Sequence, residues 1–203
     1  DRQLRDEVIT LYLAGHETTA SLLGWALYRL SRLPEIQARV RAEVAARLTD
    51  RRPTLEQLKT LQYTSQVIHE VLRLYPPAWT VARNAVHDDE VMGYRVEGGS
   101  IVMISPYFAH RMAEFWPDPL RFDPQRFTPE AIAARHPFAY FPFSLGPRIC
   151  IGMQFSLYEA RLVLGMLLRD YEVHPLGSRE VGARAVGTLR PDAALRVLLR
   201  RRA

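Results

Sequence analysis

Residues 106–149 place the strongest constraint on how this chain can fold. They hold more than half of its 14 prolines and many of its aromatic residues, and they show little periodicity. Proline lacks a backbone N–H and fixes φ, so neither a long helix nor a central strand survives such spacing. A coil of that length is uncommon in a compact domain unless it carries function. Regular patterns flank it. Leu4, Val8, Leu11, Tyr12, Ala20, Leu23, Leu27 and Leu30 recur at helical spacing and predict a helix over 4–32. Pro34-Glu35 opens a second helix that runs to about Leu48. Thr54 and Gln57 have the spacing of a capping box on a short helix. A further helix over 61–75 stops at Pro76-Pro77. Short runs at 80–86, 92–96 and 100–105 read as strands, divided by Asp-Asp and Glu-Gly-Gly turns. Beyond the coil, a helix over 151–170 places Leu157, Ala160, Leu164 and Leu167 on one face, and the tail 171–200 has a strand-like run at 195–199. This order predicts a mainly α fold with small β-sheets, an α+β arrangement.

Composition narrows the function classes. The 203 residues are 48% hydrophobic and 24% charged, which argues against disorder and leaves enough chain for a real core. The formal net charge of +5 is almost all arginine, with Lys59 the single lysine. The arginines are scattered, with no five-residue basic run and no aromatic interleaving, so a nucleic-acid partner is not indicated. No apolar run approaches the roughly 20 residues of a membrane span. The chain starts at Asp1 within a helical pattern and reads as a piece of a longer protein. A membrane anchor elsewhere in that protein therefore stays open.

Four polar constellations stand out. The first is F-S-L-G-P-R-I-C-I-G at 143–152, which contains the only cysteine, Cys150. One cysteine forms no intramolecular disulfide, and a lone thiol is a buried apolar group, a nucleophile or a metal ligand. Cys150 directly precedes the helix expected from 151, where free N–H groups and the dipole favour a thiolate. Gly146 and Gly152 remove side chains where a flat ligand approaches the backbone, and Arg148 offers a cation for a carboxylate. A soft sulfur without a second cysteine suits iron better than zinc, which needs three or four Cys/His ligands. The second is A-G-H-E-T-T at 14–19, a run of polar residues inside an apolar helical pattern. Gly15 in mid-helix costs about 1 kcal/mol relative to alanine. Glu17 and Thr18 can supply a proton path in a dry pocket, or can form an ordinary solvated patch. Neither His16-Glu17 nor His69-Glu70 continues as H-E-x-x-H. The third is E-V-L-R at 70–73, where Glu70 and Arg73 are i,i+3 neighbours, an ion pair worth little by itself. The fourth is F-D-P-Q-R-F at 122–127, either a surface loop or an anchor that pins Arg126 against the Glu70–Arg73 pair.

In this combination and order the four segments resemble the cytochrome P450 family of haem-thiolate monooxygenases, C-terminal half only. Phe143, Gly146, Arg148, Cys150 and Gly152 match the family's F-x-x-G-x-R-x-C-x-G loop. Ala14, Gly15, Glu17, Thr18 and Thr19 match A-G-x-[DE]-T-[TS], and Glu70 and Arg73 match E-x-x-R. The family's P-E-R-F is P-Q-R-F here: Gln125 replaces Glu while Arg126 is kept, so the triad Glu70, Arg73 and Arg126 is complete.

The resemblance implies the C-terminal, haem-binding part of a single P450 domain over 1–203, with haem b (iron protoporphyrin IX) as cofactor. It implies Cys150 as the axial thiolate, Phe143 packed beside it, and Arg148 and Arg83 on the haem propionates. Thr18 and Glu17 then serve oxygen activation as hydroxyl and proton donor, and Gly15 leaves room for O2. Pro77–Ala82 and the tail turn at Val186–Leu189 line a pocket for an apolar substrate. One oxygen atom of O2 enters that substrate, with electrons from a ferredoxin- or flavodoxin-type redox partner or a reductase. Arg135, Arg148 and Arg161 flank the cysteine loop and predict a positive docking surface for an acidic partner. The arginine bias points to a bacterial, cytoplasmic, soluble protein. Two other readings are a fragment that holds no haem and has no activity, and a peroxide-using hydroxylase, against which Thr18 argues.

Overall fold

The computed structural model describes residues 1–202. It opens with α1 (Arg2–Arg32), capped by the Asp1 side chain, which accepts from the Gln3 N–H. The predicted apolar stripe of this helix divides in two. Leu4, Val8, Leu11 and Tyr12 are exposed, whereas from Thr19 onward the helix buries Leu22, Trp25, Ala26, Tyr28 and Leu30. Helical period is shared by both halves, but among the described residues only the second half has elements packed against it. Those elements are α2 (Pro34–Arg47), α4 (Gln62–Leu74) and α7 (Met153–Asp170), which form the main core with it. Trp25 stacks on Tyr75 at 3.9 Å between ring centroids, closing the core where α4 ends. Between α2 and α4, α3 (Leu55–Lys59) carries the predicted capping box, Thr54 and Gln57 each bonding the other's backbone N–H. On α7 the buried face is Leu157, Ala160, Leu164 and Leu168, the last one residue beyond the expected Leu167, which is half-buried. Gly165 lets α7 sit close to α2's end: a Cβ there would lie 2.9 Å from Leu48 Cδ1.

Among the described residues, four two-stranded antiparallel sheets decorate this core. β1 (Val81–Asn84) pairs with β4 (Ile101–Ile104), and β2 (Asp89–Val91) pairs with β3 (Tyr94–Val96). The Asp-Asp pair taken for a turn thus leads into a strand, and the turn lies at Met92-Gly93, both with positive φ (53° and 83°), the conformation of a tight hairpin. In the tail, β5 (Tyr171–Pro175) pairs with β8 (Val197–Arg201), and β6 (Ala183–Val186) pairs with β7 (Thr188–Pro191) through Gly187 at φ 61°.

The proline-rich stretch is not a featureless coil. It contains α5 (Pro106–Ala109), α6 (Pro129–Ala134) and 3-10 turns at Pro124–Phe127, Pro137–Ala139 and Gly146–Arg148. Each begins with proline in its first two positions, where the missing N–H costs nothing and the fixed φ is already helical. Proline therefore punctuates this segment into short helices. A small second cluster of Trp116, Phe127 and Ala139, with Phe115 and Tyr140 against it, holds the pieces together. Arg135 lies over the Trp116 and Phe127 rings, at 4.4 and 4.8 Å.

Candidate functional site

The cysteine loop bends on two left-handed residues, Ser144 (φ 63°) and Gly146 (φ 67°). Ser144 is a non-glycine residue in that region, a conformation that persists only where the surroundings hold it. The bend brings Cys150 back beside Phe143, whose carbonyl accepts the Cys150 N–H at 2.9 Å. Phe143 is itself packed on the main core, so the thiol-bearing end of the loop is anchored through its neighbour. Cys150 is exposed, which removes the reading of an inert buried thiol. Around it Ile151 is 93% and Phe155 74% exposed. The helix expected from 151 begins two residues later, at Met153 with Gly152 as its cap, and the Met153 N–H turns toward the Cys150 carbonyl at 3.3 Å. A Cβ on Gly152 would lie 3.9 Å from Cys150 Sγ, in ordinary van der Waals contact with the sulfur.

Arg83 reaches this loop from β1. Its Nη2 donates to Ser144 Oγ at 3.2 Å, while Nη1 donates to the Ala82 carbonyl. Arg148 is exposed within the loop. The other two arginines expected on a positive surface here are otherwise engaged. Arg135 is half-buried on aromatic rings, and Arg161 donates to Ser65 Oγ and lies over Tyr158.

Glu70 and Arg73 lie on α4, both fully buried. Arg73 Nε and Nη2 donate to the two oxygens of Glu70 at 2.7 and 2.8 Å. Its remaining N–H groups go to the carbonyls of His110, Pro119 and Arg121, and Glu70 Oε1 also accepts the Asp123 N–H. One side-chain pair thus fastens the proline-rich segment to the core helix at four backbone positions. Burial pushes the Glu70 carboxyl upward, against the opposing pull of the Arg73 fork. Arg126 joins more loosely: its Nε stands 3.8 Å from Glu70 Oε1 without a hydrogen bond.

On α1, Gly15 has open space beside it. Thr18 Oγ1 donates to the Ala14 carbonyl at 2.6 Å, one turn back. Glu17 is bound to the tail hairpin: Arg190 donates to its Oε1 from Nε at 2.9 Å and from Nη2 at 2.6 Å, and the Thr188 hydroxyl donates to the same oxygen. These donors, the Thr188 hydroxyl foremost, hold the Glu17 carboxyl below the usual carboxylate range. The hairpin is fixed at Leu189 as well, whose carbonyl accepts from Ser21 Oγ and whose N–H donates to the Pro77 carbonyl. The tail turn, the segment after Pro76-Pro77 and the polar stretch of α1 therefore meet. Among the described residues, no hydrogen bond links them to the cysteine loop. Thr188 and Arg190 escaped sequence reasoning, because nothing local marks a partner so distant along the chain. An open cavity of about 720 Å³ lies elsewhere, at the C-terminal end of α7, lined by Thr49, Arg51, Arg169, Asp170, Tyr171, Arg201 and Arg202.

The family profile described as Cytochrome P450 matches residues 1–192. The chain belongs to the cytochrome P450 family. It is 42% identical over 98% of its length to human cytochrome P450 4V2, of which the match covers 38%. It is 37% identical over its whole length to the probable cytochrome P450 4aa1 of Drosophila melanogaster, covering 40% of that protein. The putative cytochrome P450 132 of Mycobacterium bovis is 37% identical over 99% of this chain and 43% of its own. The chain thus spans about two fifths of the length of these relatives.

A P450 carries haem, and the residues present fit it. Among the described residues no group of three or more His, Cys, Asp or Glu is arranged to hold a metal ion. The protein offers one exposed thiol, so a metal bound there has to bring its other ligands with it, as a macrocycle does. Apolar side chains beside the thiol, Arg148 on the loop and Arg83 reaching it from β1 suit a flat apolar group with carboxylates at its edge. No helix among the described residues is long and apolar enough to cross a membrane.

Proposed function

We propose that this chain is the haem-binding part of a P450 monooxygenase, with haem b held through Cys150. The observation that carries this reading is the exposed Cys150 thiol inside its glycine-flanked loop, anchored by the Phe143 carbonyl. The haem, when bound, supplies the redox chemistry that divides O2 between substrate and water. The chain's own residues supply the rest. The Cys150 sulfur is the single soft protein ligand, and its loop turns on Gly146, whose left-handed backbone suits glycine. Arg83 and Arg148 bind the carboxylates, Arg83 exchanging its bond to Ser144 for one of them.

Gly15 leaves space beside α1 for a diatomic molecule, and the Thr18 hydroxyl is held one turn from it. Glu17 hands a proton inward from its solvent-facing position. Each turnover consumes one O2, two electrons and two protons, placing one oxygen atom in the substrate and one in water. The Pro77–Ala82 segment and the 186–189 turn, which meet at the Leu189–Pro77 hydrogen bond, form a wall for an apolar substrate. The electrons come from a ferredoxin- or flavodoxin-type protein or a reductase, with Arg148 as the exposed cation at the thiolate loop. In the full-length protein, Cys150→Ser is expected to abolish the red-shifted Soret band of the ferrous–CO thiolate complex. A variant that keeps that band overturns the assignment of Cys150.

A further inference from the structure

Glu17 and the tail hairpin are joined by an unsymmetrical set of bonds. Thr188 Oγ1, Arg190 Nε and Arg190 Nη2 all donate to Oε1 of Glu17, and among the described residues no donor reaches Oε2. An oxygen that already accepts three donors has no free lone pair for a proton. Any proton that Glu17 carries therefore sits on Oε2.

The elements on either side enforce this asymmetry. Thr188 and Arg190 are two residues apart on β7 and share a face, while Leu189 between them points into the core and is 2% exposed. On α1, Glu17 and Ser21 are i,i+4 neighbours on one face, so both contact the same strand: Glu17 through Thr188 and Arg190, Ser21 through the Leu189 carbonyl. The carboxylate is thus gripped from a strand whose own position is fixed at Leu189.

We propose that Arg190, assisted by Thr188, is a positioning residue that anchors Oε1 of Glu17 and so leaves Oε2 as the proton-carrying atom. This rests on the reading of Glu17 as proton donor. It adds that the choice of the proton-carrying oxygen is set from the tail hairpin, the same hairpin whose turn walls the proposed substrate pocket. Among the described residues the charged groups that act on Glu17 are Arg190 from β7 and His16 on α1 itself. Both are cationic or neutral, so the anchored carboxylate stays ionised until a proton is supplied to Oε2.

The test uses the full-length haem-loaded protein and the infrared carboxyl bands of Glu17, assigned by their loss in Glu17→Gln. In Arg190→Gln the Glu17 titration should move to higher pH and amide exchange across Thr188–Pro191 should quicken. Arg190→Lys keeps the charge but not the two-pronged donor, so exchange should still quicken while most of the low titration is restored. Thr188→Val removes one donor and should shift the titration in the same direction as Arg190→Gln. Unchanged bands and exchange in Arg190→Gln, with the protein folded, overturn the anchor. The proton role fails separately: if Glu17→Gln leaves the solvent deuterium isotope effect on oxygen uptake unaltered, Glu17 is not the donor, whatever Arg190 does to its titration.

Discussion

Two glutamate–arginine pairs in this molecule have the same chemistry and opposite environments. Glu70 and Arg73 are sealed in the core with every guanidinium N–H engaged. Glu17 and Arg190 face solvent, at 37% and 56% side-chain exposure, with one carboxylate oxygen left open. Burial pushes the Glu70 carboxyl up, whereas the Thr188 and Arg190 donors hold Glu17 down. The difference separates a tie from a device. A buried charge pair stripped of water exchanges protons with difficulty, but it can fix several backbone carbonyls at once. A pair with a free oxygen at the surface fixes little, but it can take a proton from water and release it.

The sharpest way to break this comparison is to remove the arginine from each pair. Arg73→Ala leaves Glu70 buried without its partner and three carbonyls without donors, so it should cost about 3–5 kcal/mol in denaturant unfolding. Arg73→Lys should fare little better, since one ammonium cannot reach both Glu70 oxygens and three separate carbonyls. Arg190→Gln should leave the unfolding midpoint nearly unmoved. Equal losses at the two sites would show that burial is not what distinguishes them.

Acid probes the same contrast with a smaller effect. His110 and His69 lie around the proline-rich segment, His110 accepting the Phe141 N–H and His69 bonded to the Tyr140 hydroxyl. Burial lowers them to about 3 and about 4 from 6.5. Both are neutral when folded, while the unfolded chain takes up their protons below 6.5. Stability is therefore complete above that value and falls as pH drops toward 4, by about 2 kcal/mol per histidine at pH 5. Unfolding measured at pH 7 and pH 5 should show this loss, and His69→Gln should remove about half of it. The Glu17 link behaves differently. Its depressed carboxyl keeps the bond to Arg190 at pH 5 and loses it only as pH falls through that lowered value. The fold as a whole should thus lose stability at a pH where the surface pair is intact.

How much of this was legible in the sequence follows the range of the interactions. Elements set by neighbours within a few residues read well: the capping box at Thr54 and Gln57, the stop at Pro76-Pro77, and the Glu70–Arg73 spacing on one helix face. The four motif segments are legible for the same reason. Features set by distant partners did not read. The hairpin of β6 and β7 has no apolar alternation of its own, and Arg190 meets Glu17 only because Leu189 is fixed to Pro77 and Ser21. The exposed half of α1 shows the converse. Leu4, Val8, Leu11 and Tyr12 carry a helical period, yet period alone does not say what covers a face. In the proline-rich segment the error was one of scale, since each proline begins a turn too short for a periodic signal.

Arg126 provides the finest division, because sequence logic grouped it with Glu70 and Arg73 as one triad. Its Nε is 3.8 Å from Glu70 and makes no hydrogen bond, while its Nη2 donates to the Asp118 carbonyl and its own carbonyl accepts from Arg135. Arg126 is thus the outer member of the triad, ion-paired with Glu70 but not hydrogen-bonded to it. Glu70 keeps its bidentate arginine and the Asp123 N–H when Arg126 is gone, so no buried charge is left alone. Arg126→Ala should therefore cost about 1 kcal/mol or less, several-fold below Arg73→Ala, with the loss arising mainly at the Asp118 turn. A loss as large as that of Arg73→Ala would mean that the three charges act as a single ionic unit, and the distinction would then lie between a network and a pair.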